Sequence, residues 1–297
     1  HTDGAPERLL FLWTLFEGVP KFYRDCFEQG VLAADRRTLL KKMFFESSSP
    51  LRTEADNWFL KELHGRYDVV LKYVAKNPGK MNGDIEAHVR ETSRDEKEQV
   101  AGYLKILIAR FGLLEKKLPV FAKPGARRAR YFLSDNFLTA WLAALAAQIS
   151  ALSVQPADKL VETANLRLVD VEGHALERLV AHLYEERSRK RVGDFTLTQR
   201  IDGYWNSHET EIDLVAIDDE NKRIRFGTCK RSPQKLIADV KNFSEHVERF
   251  NDAFPRFASY KQEVVGFTVR ADDDVRAALA EHGLLCQDLV DLTAGLG

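Results

Sequence analysis

The sequence predicts an α+β, multidomain protein: a helical N-terminal segment, a helix-rich region closed by a basic hairpin, and an α/β C-terminal domain. Three observations carry this. Through most of residues 1–165, apolar side chains recur at the three-to-four-residue spacing of amphipathic helices, cut by Pro and Gly. Near residue 113 two short apolar runs flank a loop rich in Lys and Arg. Over 166–297 helical spacing alternates with period-two runs. At 297 residues the chain exceeds one small core, and its 44% hydrophobic and 30% charged content is that of an ordinary globular protein.

In order, residues 1–60 read as helical and aromatic-rich, with Gly18-Val19-Pro20 marking a turn and Ser47-Ser48-Ser49-Pro50 a loop after Phe44-Phe45-Glu46. In 61–135, Tyr67, Val70, Leu71 and Val74 share a helix face until Asn77-Pro78-Gly79 breaks it. Asn82-Gly83-Asp84 opens a short helix through His88. A third helix is expected from Ser93 to Phe111, with Val100, Tyr103, Leu104, Leu107 and Ile108 as its stripe and Gly112 as its stop. Leu113–Lys116 and Arg130–Leu133 read as strands around a loop.

Three helices followed by a hairpin is the winged helix-turn-helix order, in which the third helix enters the major groove and the wing meets phosphates. Lys116, Lys117, Lys123, Arg127, Arg128 and Arg130 form a wing uninterrupted by any acid, as phosphate contact requires. The third helix argues the other way. Asp95, Glu96 and Glu98 beside Arg94 and Lys97 make a poor surface to press on phosphates, so a winged helix used for protein contacts stays open.

Residues 136–165 read as a mostly helical bridge ending near Gln155-Pro156. Residues 166–297 then give a helix over 171–190, a strand near 195–205, a hairpin, a helix from Pro233 to Phe250, a strand at Val264–Val269, a short helix near 272–281 and a last strand near 284–288. In the hairpin, Ile212, Leu214 and Ala216 alternate with Glu211 and Asp213, so both carboxylates share one face. Asp218-Asp219-Glu220-Asn221-Lys222 makes the turn, and Ile224, Phe226, Thr228 and Lys230 share a face on the return strand. A carboxylate pair on one strand and a lysine on its neighbour converge as in a magnesium-dependent phosphodiesterase site. The same residues also fit a solvated strand with plain cross-strand ion pairing.

Composition narrows the alternatives. A formal net charge of −1 gives no global pull towards nucleic acid, so any basic surface is local. Cys26, Cys229 and Cys286 show neither a disulfide framework nor a zinc spacing, which suits a reducing cytosol. Phe137–Leu152 is the most apolar stretch, but Gln148 and Ser150 interrupt it, and no membrane partner is expected. His64, His88, His174, His182, His208, His246 and His282 lack paired metal spacing. No Gly-x-Ser-x-Gly is present.

Asp…(Asp/Glu)-x-Lys on adjacent strands, preceded by a helix carrying Glu, resembles the PD-(D/E)XK, or restriction-endonuclease-like, superfamily. The resemblance maps its catalytic positions onto Glu177, Asp213 and Lys230, implies an αβββαβ core for 166–297, and implies Mg²⁺ as the cofactor, held by Asp213. Thr228 departs from it. Where the superfamily has an acid two residues before the lysine, a threonine hydroxyl brings no charge to a hard cation. Glu211, on the face of Asp213, is the substitute ligand. No cofactor is certain on this reading.

Tyr131-Phe132-Leu133-Ser134-Asp135-Asn136-Phe137-Leu138 further resembles the Y-x-L-x-D-x-F-L junction of the archaeal-type ATPases, P-loop proteins that are also found in bacteria. Gly18-Val19-Pro20-Lys21-Phe22-Tyr23 is similar to their G-x-P-x-Y element, and Tyr204-Trp205 to their C-terminal domain. The resemblance implies a winged helix and a nuclease-like domain following an ATPase module. No Gly-x-x-x-x-Gly-Lys-Ser/Thr occurs here; Pro78-Gly79-Lys80-Met81 is the nearest approach and reads as a turn. The chain therefore reads as the C-terminal portion of such a protein, or a relative without the motor. Three functions follow: a nucleic-acid-binding protein with a degenerate nuclease-like domain, an active metal-dependent DNA endonuclease, or a regulatory piece that contacts an ATPase module or another protein and no DNA.

Overall fold

The computed structural model describes residues 6–54, 66–92, 100–123, 125–206 and 210–296. By their contacts these divide into two compact units. One, the helical unit, comprises Phe11–Leu118 and Ala129–Glu172; the other, the sheet unit, comprises the described residues of His1–Leu10, Pro119–Arg128 and Gly173–Gly297. The division differs from the four consecutive segments that the sequence suggests, because helix and loop boundaries do not coincide with core boundaries.

The helical unit holds most of α1 (Pro6–Phe16), then α2 (Pro20–Glu28), α3 (Arg36–Leu40), α4 (Arg66–Lys76), β1 (Lys80–Met81), α5 (Asn82–Thr92), α6 (Val100–Ala109), β2 (Leu114–Lys117), β3 (Arg130–Leu133), α7 (Asn136–Ala140), α8 (Ala146–Ser150) and the first half of α9 (Ala157–Lys190). Local chemistry sets the breaks. Gly18 takes a left-handed φ of 78° and Pro20 opens α2 at its first turn. Asp35 caps α3 by accepting from the amides of Arg37 and Thr38. Gly112, at φ 62°, ends the helical stretch after α6, as its position in the sequence leads one to expect. The acidic start of the expected third helix, residues 93–99, lies outside the described residues.

The hairpin of β2 and β3 is there, and β1 joins it in the antiparallel order β1-β3-β2. Two residues of strand carry no readable periodicity, so β1 has no signature in the sequence. The stretches Gly18–Tyr23 and Tyr131–Leu138 meet in this unit. Asp135 caps α7 by accepting from the Leu138 amide at 2.6 Å, the Asn136 amide donates to Glu17 at 2.7 Å, and the rings of Phe22 and Phe137 stack at 4.7 Å. The core around them includes Leu15, Phe16, Phe44, Leu71, Leu107, Leu138 and Trp141. α3 and α7 each run on through a π-helical turn, Lys41–Phe45 and Trp141–Leu145, and Phe44 meets Trp141 across these turns at 6.4 Å.

The helical stretch Asn136–Ser153 is long and apolar enough to cross a membrane by length and composition alone. Phe137, Leu138, Ala140, Trp141, Leu142, Ala144 and Leu145 are buried in the unit's own core, which accounts for that apolarity. A helix expected to begin at 171 begins instead at Ala157, as α9. Leu160, Val161, Ala164 and Leu168 continue the apolar face without a breaker.

The sheet unit is built on five strands in the order β4-β5-β6-β7-β8. β4 (Asp202–Asn206), β5 (Thr210–Asp218) and β6 (Arg223–Cys229) are antiparallel; β7 (Lys261–Thr268) and β8 (Leu285–Asp288) run parallel to β6. Around them lie the second half of α9, α10 (Pro233–Ala253), α11 (Asp273–Ala280) and α12 (Leu289–Thr293). The order helix, three strands, helix, strand is the one that the sequence implies. α10 starts at Pro233 behind a Ser232 cap, and its Leu236, Val240, Phe243 and Phe250 bury against Val215, Ile217, Ile224 and Phe226.

β5 is less one-sided than its alternation suggests. Residues 210–214 alternate, but Leu214 through Asp218 are all buried, because the strand enters the middle of a sheet packed on both faces. Arg225 marks the other face. It is 2% exposed and donates to Asp194 at 2.6 Å, to Glu263 at 2.6 Å and to the Tyr184 hydroxyl at 3.0 Å. Arg223 adds a two-pronged contact to Glu263 at 2.9 and 3.1 Å.

Candidate functional site

The site lies where β5 and β6 meet near the start of β5. A bulge prepares it: Asp202 pairs with Val215, but Tyr204 pairs with Ile212, so β5 carries an extra residue beside Asp213. Gly203 sits opposite. A Cβ there would lie 3.0 Å from the Asp213 carbonyl oxygen and 3.2 Å from that of Ile212, so only glycine lets the strands approach this closely.

Asp213 is half-buried, and its Oδ2 accepts from the Cys229 amide at 2.7 Å and from the Thr228 hydroxyl at 3.2 Å. Burial pushes its carboxyl up to about 7, and the carboxylates of Glu177 and Glu211 push the same way; the Cys229 amide and the Lys230 ammonium pull back. Lys230 follows β6, tied by its amide to the Phe267 carbonyl at 2.9 Å. Its ammonium lies 3.1 Å from Asp239 on α10. Burial opposes that charge, but Asp213, Asp239 and Glu177 outweigh it and hold Lys230 above the usual lysine range. Glu177 lies on α9 with its Oε2 3.1 Å from His174 Nδ1. Glu211 is exposed, and its backbone is bracketed by His246, whose Nδ1 is 2.7 Å from the Glu211 carbonyl oxygen. Cys229 is buried, and burial and then Asp213 raise its thiol well above the cysteine range.

The structure thus brings Glu177, Asp213, Thr228 and Lys230 into one electrostatic neighbourhood, with Glu211 at its rim. These residues do not fit a magnesium ion as they stand. Mg²⁺ requires oxygen ligands in near-ideal octahedral geometry and favours carboxylates. Asp213 Oδ2 is occupied by two hydrogen bonds, Thr228 brings no charge, and Lys230 is engaged by Asp239. Among the described residues no three His, Cys, Asp or Glu side chains converge as a metal site.

The six basic residues of the expected wing are shared between the two units. Lys116, Lys117 and Arg130 lie in the helical unit; Lys123, Arg127 and Arg128 lie in the sheet unit. Lys117 pairs directly opposite Arg130, and its ammonium lies 3.4 Å from Glu115 and 5.4 Å from the Phe132 ring centre. The segment around Lys123 is anchored rather than free. The Val120 amide donates to the Gly203 carbonyl at 2.9 Å, and the Trp205 indole donates to the Arg128 carbonyl at 2.8 Å. Between these bonds Phe121 packs among Phe250, Phe254 and Phe257, with ring centres at 6.3, 5.3 and 5.3 Å, and the Arg256 guanidinium lies over it at 4.3 Å. Phe121 adopts a φ of 64°, a conformation costing roughly 1–2 kcal/mol, which its aromatic packing offsets. Neither this anchor nor Asp239 was anticipated. The signal for the anchor was a phenylalanine in an otherwise basic loop; Asp239 on its solvated helix gave none.

Residues 141–239 match a family described as archaea bacterial proteins of unknown function, DUF234. That span includes Glu177, Asp213, Thr228 and Lys230. No curated protein matches the chain. Among solved structures it is similar to the restriction endonuclease FokI, at 11% identity and a TM-score of 0.29, over 78% of this chain and 43% of that one. The chain therefore spans less than half the length of the solved protein it matches, and at that score the likeness carries no residue correspondence.

Proposed function

We propose that this chain is the nucleic-acid-binding C-terminal portion of an archaeal-type ATPase-like protein. On this reading the helical unit carries a winged helix, and the sheet unit is a PD-(D/E)XK nuclease-like domain that has lost cleavage. One observation carries the loss. The position where the superfamily places a second acid is Thr228, and its hydroxyl ties up Asp213 Oδ2 together with the Cys229 amide. The carboxylate is thereby a structural acceptor.

The order α4-β1-α5-α6-β2-β3 with sheet order β1-β3-β2 supports the winged-helix part. Lys117 and Arg130, which face each other across the β2–β3 ladder, support phosphate contact there because both are cations on one short hairpin. Duplex DNA titrated with the whole chain at rising salt tests this part. A steep fall in affinity is expected, and salt-independent binding, or none at low salt, favours the protein-interaction reading.

The active-endonuclease reading has one observation of its own: Glu177 and Asp213 both act on the Lys230 ammonium, as an intact catalytic group would. Incubation of plasmid with Mg²⁺ or Mn²⁺ separates the two. Cleavage by the wild type that vanishes in Asp213→Ala establishes the nuclease.

A further inference from the structure

We infer that the loop Pro119–Arg128 is a phosphate-holding rail of the sheet unit, fixed along β4 so that a duplex gripped by Lys123, Arg127 and Arg128 passes over Glu211 and Asp213. The inference rests on the nucleic-acid reading above and names the surface that performs it.

Placement comes first. The loop is bonded to β4 at two points, Val120 to Gly203 and Trp205 to Arg128. Trp205 is paired across the ladder with Glu211, and Gly203 lies against the Asp213 carbonyl. Each end of the loop is thus one residue pair from a carboxylate of the candidate site. The charge of Arg128 also reaches the phenol of Tyr204, the residue between these two contacts.

Rigidity comes next. A wing that only swept past phosphates would need no hydrophobic anchor. This loop spends a left-handed phenylalanine on one, and the Ala126 amide donates to the Lys123 carbonyl at 3.1 Å. Lys123, Arg127 and Arg128 remain exposed while the backbone beneath is held. Cations fixed before binding lose less entropy on contact than cations on a free loop. The partner these features fit is the sugar–phosphate backbone of a duplex, because exposed Arg and Lys side chains on an anchored backbone neutralise phosphates without reading bases.

The test uses the whole chain and a fluorescent duplex of random sequence, titrated at several salt concentrations. The Arg127→Ala/Arg128→Ala double variant is expected to weaken binding for all sequences and to lower the log–log salt slope by about 2. Phe121→Ala, which leaves every charge in place, is expected to weaken binding several-fold with a parallel salt slope. Trp205→Phe reports on the same anchor should Phe121→Ala fail to fold. Glu211→Gln is expected to tighten binding, because it removes repulsion along the proposed path, whereas Glu220→Gln, in the turn beyond the far end of β5, is expected to leave it unchanged. If the wild type binds steeply with salt but the double variant and the anchor variants bind as the wild type does, the rail is wrong and the broader reading stands. If Glu211→Gln and Glu220→Gln behave alike, the path over the site is wrong. No binding by the wild type at low salt removes both.

Discussion

Thr228 donates its hydroxyl to Asp213 across neighbouring strands at 3.2 Å, and the Cys229 amide donates to the same oxygen at 2.7 Å. Together they satisfy a carboxylate that burial and two neighbouring acids disfavour. Thr228 thus acts on Asp213 as an internal hydrogen-bond donor between neighbouring strands.

The first prediction follows from the sign of that shift. The folded-state value of Asp213, about 7, lies above the ordinary aspartate value of 3.8. Between those values the native state holds more protons than the unfolded chain, so stability falls as pH rises through the window, and the full penalty applies above it. Asp213→Asn should therefore raise Tm relative to wild type at pH 8 and lose that advantage towards pH 4. Melting curves across this range check it, and an advantage that does not grow with pH counts against the assignment.

The second concerns chemistry. Wild-type protein with Mg²⁺ or Mn²⁺ should show no robust cleavage of plasmid or linear DNA. Thr228→Glu restores the missing formal charge and should increase Mn²⁺ affinity, read by calorimetry, with Asp213→Ala abolishing the gain. Unchanged affinity in Thr228→Glu means that the scaffold, and not only this residue, has moved away from metal binding.

The third concerns the buried arginines. Arg225 is 2% exposed and shares Glu263 with Arg223. Removing one partner of a buried pair leaves a charge without compensation, so Glu263→Gln should cost roughly 3 kcal/mol, measured by urea unfolding. The retained Asp194 contact makes a total loss of folding unexpected. Burial lifts Glu263, but the hydrogen bonds and charges of both arginines outweigh it and hold the carboxyl below its ordinary range. Its contribution is therefore present above that range and is lost as pH falls through the depressed value.

The fourth concerns Gly203. Its added methyl would press on backbone oxygens that have no room to turn aside. Gly203→Ala should destabilise by about 1–3 kcal/mol, as overpacking does, and should disturb the amide resonances of Ile212 and Asp213. A variant as stable as wild type would mean the bulge is adaptable.

The fold was legible wherever one residue type forces one local outcome. Gly112 ended a helix, Asn77-Pro78-Gly79 broke another, and the acidic turn at 218–222 closed the hairpin, with Asp218 accepting from the Asn221 amide at 3.0 Å. That β5 and β6 are neighbours was legible because a short polar turn joins two period-two runs, whereas the bulge beside Asp213 was not. What escaped was non-local. β1 is too short to show a period, the run of α9 through residue 172 depends on which core claims each turn, and the engagement of Lys230 by Asp239 joins a strand end to a helix across an intervening cap. The basic run from Lys116 to Arg130 reads as one stretch because sequence neighbours share a charge. The units divide it because Phe121 has a buried destination and the cations do not.

That division has a consequence for how the chain acquires its shape. The segment holding Phe121 leaves the ribosome well before Phe250, Phe254 and Phe257, the side chains that receive it, so it waits for a surface not yet synthesised. The sheet unit is completed by a piece supplied from the chain's first half, and closing so long a loop carries an entropic cost. A fragment cut at residue 166 would keep every strand of the five-stranded sheet yet lack the Phe121 ring that packs on Phe250, Phe254 and Phe257, and should be less stable than the whole chain. The boundary a biochemist would choose from the strands alone is one this protein does not observe.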